Sequence, residues 1–304
     1  MRYDKTRKIL IFWCLFIGIG AVAGGVGMLV DSTGKAMGMD TMLQYFRVLP
    51  FSDILFQNYI FSGISLLIVN GITNIIASIL LLKKKKLGII LGGIWGITLM
   101  LWITIQFVIF PMNFMSTIYF IFGLLQAITG YMCYVFYNQE NFIVNEKEYK
   151  NIATNNNEIV VYFSRMGYTK KIALEIANKS GAQILEIKTK EKTEGTLGFW
   201  WCGRFGIHGW SMPIEKVKQD LGKYDKATIC TPIWVFGISA PIKEFCKQYS
   251  GKLKNVDYVF VHFMNAKFTM LADEIDDTLK IKRNKLITIC SRLGKTKYTR
   301  GVWV

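Results

Sequence analysis

Four uninterrupted apolar runs restrict what residues 1–137 can fold into. Ile9–Val30, Tyr59–Leu82, Leu87–Phe110 and Met115–Tyr137 each reach the ~20 residues that a helix needs to cross a bilayer. Backbone N–H and C=O groups in lipid must be satisfied within the chain, and helices do this. The expectation is a four-helix transmembrane domain over residues 1–137. Arg2, Lys5, Arg7 and Lys8 precede the first run in the manner of a signal peptide. The run is too long for that role, and no small-residue cleavage site follows it.

Basic residues orient the spans. The N-terminal cluster and Lys83–Lys86 flank the start of the first run and the end of the second. Only Lys35 and Arg47 lie between these runs, and Pro111–Phe114 carries no basic residue. The expected placement is an integral cell-membrane protein with both termini cytoplasmic. Few polar residues interrupt the spans: Asn70, Asn74, Gln106 and Gln126. Asn74 and Gln126 fall at similar depth, so hydrogen bonding between helices is expected there, a polar notch for a quinone being the alternative. The spans hold no carboxylate, lysine or histidine pair, which argues against a proton path or haem. Gly20 and Gly24 have the spacing of a close helix–helix contact.

The rest of the chain reads differently. Asn138–Asn157 (NQENFIVNEKEYKNIATNNN) is a polar, Asn-rich linker, and residues 158–304 alternate strand and helix patterns. Strands are expected at Ile159–Phe163, Gln183–Lys188, Lys226–Cys230, Asp257–Phe263 and Lys285–Cys290. Helices are expected at Lys170–Lys179, Pro213–Leu221, Ile242–Ser250 and Thr269–Leu279. This alternation predicts a doubly wound, mainly parallel α/β sheet in a cytoplasmic domain. Residues 138–304 carry 27 Lys and Arg against 17 Asp and Glu, so +10 of the net +16 lies here. A neighbouring anionic leaflet accounts for that charge more simply than nucleic acid does, so membrane lipid is the expected partner. Six cysteines without CxxC spacing suit free thiols in a reducing compartment, not a metal site.

Within this domain Glu158–Ala177 (EIVVYFSRMGYTKKIALEIA) holds the sharpest local signal. A strand stops at Ser164, a Gly-containing loop follows, and a helix opens near Thr169. Free amides and the positive dipole end make such a helix start an anion site, usually for phosphate. Ser164 and Thr169 offer hydroxyls, Gly167 permits close backbone approach, and Lys170 and Lys171 add charge. Doubly wound sheets bind ligands beyond the carboxyl ends of their strands. The loops Ser164–Tyr168, Thr231–Ile238 and Met264–Phe268 should therefore share one site.

The runs VVYFSRMGYTKKIA and YDKATICTPIWVFGISAPIKEF resemble the phosphate loop and the third strand of flavodoxins. The resemblance spans residues 158 to about 292 and implies FMN. Its phosphate would rest on Ser164, Arg165, Met166, Gly167, Tyr168 and Thr169. Its ring would lie between Thr231, Pro232, Ile233, Trp234 and Val235 on one side and Met264–Phe268 on the other. Trp234 offers a stacking face, with core packing as its alternative, and Asn265 offers an amide to the pyrimidine edge. Met166 departs from the usual Thr and removes one hydroxyl. Gly195–Pro213, with Phe199, Trp200, Trp201, Phe205 and Trp210, departs most: a flavin lid, an interfacial foot or a packed insertion. The resemblance implies electron transfer or oxidoreductase activity toward a membrane-linked acceptor such as a quinone, fed by a reductase protein or a nicotinamide. The alternatives are an FMN-dependent quinone or porphyrin-precursor oxidoreductase, and a non-catalytic sensor or assembly protein with a degenerate flavodoxin fold.

Overall fold

A computed structural model describes residues 2–111, 113–264, 266 and 268–301. The chain divides into two compact units, Met1–Glu140 and Asn141–Val304.

The first unit is built from long apolar helices. Helix α1 spans Arg2–Val30 and is followed by a loop of 3-10 turns and the short helix α2, Ser52–Leu55. Helix α3 (Ile60–Leu66) runs through a π-helical stretch, Leu67–Ile72, straight into α4 (Thr73–Leu82). Helices α5 (Lys86–Ile109) and α6 (Phe114–Glu140) complete the unit. Four helical stretches, with α3 to α4 taken as one, are long and apolar enough to cross a membrane. Their outward side chains, among them Phe12, Ile68, Leu101 and Val108, are apolar, as lipid contact demands.

Glycines bring the helices together, but not at the expected pair. A Cβ on Gly20 would meet nothing within 4 Å, and one on Gly24 would meet only the Leu66 side chain. Close backbone approach instead occurs where Gly25 faces Gly63 and Gly18 faces Gly71. Helices α5 and α6 meet through Gly93 against Gly130 and Gly96 against Gly123. The spacing of seven between Gly18 and Gly25 keeps both on the face that α3 and α4 cover.

The polar residues expected to bond between helices do so. Gln126 donates from Nε2 to Asn74 Oδ1 (2.7 Å) and to the Gly92 carbonyl (2.9 Å), and Asn74 Nδ2 donates to the Asn70 carbonyl (2.9 Å). Arg7, read from the sequence as a topology signal, is buried. Its Nη1 caps the Leu81 carbonyl (2.9 Å) at the end of α4, and Nη2 bonds Asp4 (2.7 Å). A cation at a helix C-terminus satisfies an orphan carbonyl and opposes the dipole's negative end.

The second unit is a twisted sheet with helices on both faces. Its strands are β1 (Asn155–Tyr162), β2 (Ala182–Glu186), β3 (Lys226–Trp234), β4 (Gly237–Ile238), β5 (Val256–His262), β6 (Lys285–Arg292) and β7 (Lys295–Arg300). The order is β2-β1-β3-β5-β6-β7; the first five run parallel, β7 is antiparallel, and β4 folds back on β3. With β4 and β7 set aside, this is the order of a flavodoxin-like sheet, whose direction of winding switches between β1 and β3. β7 (KTKYTR) was not anticipated; its lysines and arginines suit an exposed edge that must not recruit further strands.

Helices α7 (Tyr168–Ser180), α8 (Gly195–His208), α9 (Ala240–Gln248) and α10 (Thr269–Leu279) cover the faces. One core cluster joins Ile159, Ile229, Phe245, Tyr258 and Phe260 to α9 and α10; the other joins Val160, Val259 and Ile287 to α7. All six cysteines are free and buried.

Two expectations need correction. Pro213–Leu221 is not helical. It has no regular structure up to a 3-10 turn that opens at Leu221, with Glu215 N–H bonded to the Lys188 carbonyl and Ile214 and Val217 set against the core. The helix lies instead in the Gly-rich aromatic segment, as α8, closed by Gly209 at φ 63°. The polar segment after the spans is also less open than a free linker. α6 continues to Glu140, and Asn151 bonds Asn178 through both its backbone N–H and its side chain. Ala153 N–H bonds the Ala182 carbonyl, and Glu146 pairs with Lys170.

Candidate functional site

The β1-to-α7 turn has the form that the sequence suggests. Gly167 takes φ +84° and sits immediately before the helix, where a residue with a Cβ would be strained. No side chain caps this helix. The amides of Tyr168, Thr169 and Lys170 are therefore its intrinsic orphan donors. Thr169 is buried in the first turn, and Ser164, Arg165 and Met166 are half-buried in the loop before it. This arrangement fits a phosphate group: amides, a left-handed glycine and a helix start converge at the β1/β3 switch point.

The surrounding charges differ from the sequence reading. Lys170 is engaged by Glu146, and Lys171 lies 3.7 Å from Glu175. Arg165 is the basic residue within the loop itself, with its guanidinium 5.4 Å from the centre of the Phe199 ring. Tyr168 is half-buried, and its buried hydroxyl has no partner. Burial raises the pKa of that phenol, while Arg165 opposes the rise. Burial likewise pushes the Cys202 thiol on α8 up to about 11, again against the pull of Arg165.

A feature that sequence reasoning missed covers the outer side of this loop. Phe142 and Val144 lie against Gly167, and the Phe142 ring meets Tyr168 edge-on at 4.7 Å. Phe142 also fills the space over Gly294 (φ +80°), where a Cβ would sit within 2.5 Å of the ring. The apolar triplet Phe142-Ile143-Val144 in a largely polar, Asn-rich run was the available signal.

The second loop follows β3. Thr231 is fully buried with its hydroxyl committed: it lies 2.9 Å from the Ser239 hydroxyl and accepts from Ser239 N–H (3.2 Å). It therefore holds the loop's shape. Pro232 and Ile233 are half-buried, and β3 continues to Trp234 before turning back through Val235 and Phe236 into β4. Both turn residues have positive φ, 45° and 67°, as a type I′ hairpin requires. A β-branched residue there is an outlier, and such strain concentrates at functional sites. Val235 and Phe236 are exposed. Trp234 packs edge-on against Phe163 (5.5 Å, 84°) and against the core, so the packing alternative holds for at least one side of the ring.

At the end of β5, Phe263 and Met264 are exposed, while His262 is buried with its Nδ1 on the Met264 carbonyl. Burial lowers the His262 pKa, against the pull of the Met264 carbonyl. Asn265, and Lys267 beside it, lie outside the described residues. The aromatic insertion is a helix, not an irregular loop. On α8, Leu197 and Trp200 are each 69% exposed; Trp201 donates to Glu191 (2.8 Å), and Gly206 allows close approach to the Trp234 backbone.

No family model matches the chain, and no curated protein matches it. Similar solved structures do exist. One is a flavoprotein in complex with FMN from Lactobacillus acidophilus NCFM, at 19% identity and a TM-score of 0.38, covering 43% of this chain and 92% of that one. Another, described as a flavoprotein from Bacteroides uniformis ATCC 8492, has 20% identity and a TM-score of 0.39, covering 46% and 97%. A third of the same description, from Bacteroides eggerthii DSM 20697, has 21% identity and a TM-score of 0.38, covering 43% and 87%.

Proposed function

We propose that this chain is a membrane-anchored, flavodoxin-like FMN protein that delivers electrons to a lipid-soluble acceptor such as a quinone. The observation that carries this reading is the uncapped start of α7 behind the left-handed Gly167, at the switch point of a flavodoxin-ordered sheet. In this reading the amides of the Ser164–Thr169 loop hold the phosphate, with Arg165 supplying charge. Thr231 and Ser239 fix the β3 loop, so that Pro232, Ile233, Trp234 and Val235 present an apolar wall to a ring. Phe263 and Met264 offer a facing wall and keep water from it. FMN, when bound, supplies the electron-carrying chemistry, and these residues bind and orient it.

The deciding experiment is an absorbance spectrum of detergent-purified full-length protein. The visible absorption of bound flavin, at about one flavin per chain, is expected. Protein that is colourless and takes up no added FMN would sink the proposal. That result would favour a non-catalytic sensor or assembly protein, a reading that Phe142 and Val144 packed over Gly167 support.

The same reading places four spans in the cell membrane with both termini in the cytoplasm, where reduced donors are present. A reporter active only outside the cytoplasm should be silent when fused after Asn138 and active when inserted near Lys35. The reverse pattern overturns the orientation.

A further inference from the structure

The helical unit carries a half-open cavity of about 260 Å³ between α1, the π-helical stretch and the facing parts of α5 and α6. Gly20, Asn70, Trp102, Gln106, Ser116 and Tyr119 line it, together with aliphatic side chains of the four helices. No charged residue is among its lining.

Asn70 is the informative wall. It is 1% exposed, and neither its Nδ2 nor its Oδ1 has a hydrogen-bond partner. Its neighbour one turn on, Asn74, is by contrast fully engaged with Gln126 and the Asn70 carbonyl. An unsatisfied buried amide costs about 1–3 kcal/mol, and an apolar residue in its place would avoid that cost. Asn70 also sits within Leu67–Ile72, the only π-helical stretch among the described residues. Single π-turns inside α-helices occur frequently at functional sites. Gly20 adds a third observation. A Cβ there would meet nothing, so this glycine serves no helix contact and leaves the cavity open.

We propose that this cavity binds the ring of a lipid-soluble quinone. The lining excludes a charged ligand. The volume lies just below the usual range for small-molecule sites and suits a single substituted ring. A carboxamide is matched to both forms of such a ring: Asn70 Nδ2 donates to a quinone carbonyl, and Oδ1 accepts from a quinol hydroxyl. Trp102 and Tyr119 add aromatic faces for stacking. Asn70 lies twelve residues before Leu82, so the site is about 18 Å along the helix from the Lys83–Lys86 turn. The proposal rests on the four helices lying in a bilayer and gives a binding site to the quinone acceptor named above.

The test is titration of full-length protein in detergent with a benzoquinone carrying one isoprene unit, read by quenching of tryptophan fluorescence. It needs no bound flavin, so its failure leaves the FMN reading untouched, and a colourless protein leaves this site untouched. Saturable quenching is expected in the wild type. Asn70→Leu should weaken binding about tenfold or more, the value of one hydrogen bond. Gly20→Leu should abolish binding by filling the cavity, with the elution profile unchanged. Wild-type protein without saturable quenching, or variants that bind as the wild type does, would overturn the site. Dioctanoylglycerol competing as well as the quinone would overturn the quinone and assign the cavity to a lipid. Should either variant fail to elute as native, a photoreactive azidobenzoquinone on the wild type decides. Label within residues 17–24, 66–70, 99–106 or 115–119 supports the site, and label confined elsewhere overturns it.

Discussion

Ser164→Ala combined with Thr169→Ala should raise the FMN dissociation constant at least about 100-fold. Each change removes a hydroxyl donor from the loop before, or the first turn of, an uncapped helix. A hydrogen bond to a charged acceptor is worth roughly 1.5–3 kcal/mol, so two give at least about 3 kcal/mol, and each 1.4 kcal/mol is tenfold. Flavin fluorescence titration measures this directly, and an unchanged constant would remove the loop from the site. Thr231→Ala serves as contrast. Its hydroxyl is spent on Ser239, so that variant should lower the unfolding temperature and alter affinity far less.

The largest effect on stability is expected at Gly130. A Cβ there would lie 2.4 Å from the Gly93 Cα, which is backbone and cannot swing aside. Gly130→Leu must therefore part α5 from α6, along the longest close seam of the bundle. Overpacking usually costs about 1–3 kcal/mol even where side chains can yield, so a loss above about 3 kcal/mol is expected here. The readout is the unfolding midpoint of detergent-solubilised protein. Gly20→Leu, on the open side of α1, should unfold close to the wild type. Equal midpoints for the two variants would contradict the helix contacts described.

The elements that the sequence made legible were those with a strong period or a strong punctuation mark. The spans, the alternation of parallel strands and the Gly167 turn each follow from local chemistry: an apolar run, a β-branched run, and a glycine between strand and helix. Misreadings arose where tertiary contacts decided. Gly195–His208 contains four glycines, which weaken a helix by up to about 1 kcal/mol each, yet it is helical because Cys202 and Gly206 find packing partners. Pro213–Leu221 has a helical composition but lies as irregular chain beside the core. At the candidate site the sequence placed the hydroxyls but not their engagements. That Thr231 is spent on Ser239, and that Glu146 answers Lys170, depend on residues 8 and 24 positions away. Gly20 and Gly24 matched a spacing rule, while the faces of α1 were set by its neighbours, which no single-helix pattern encodes.

Phe142, two residues beyond the last turn of α6, sets how much free chain follows that helix. While its ring stays over Gly167 and Gly294, the chain leaving α6 is pinned almost at once. Peeling residues 141–154 away would add about 14 residues of slack, up to about 48 Å at 3.4 Å per residue. Because the same ring leans on the loop proposed to hold the phosphate, slack and occupancy form one linked equilibrium. Whatever factor the ligand applies to the docking of Phe142, the docking of Phe142 applies to the ligand.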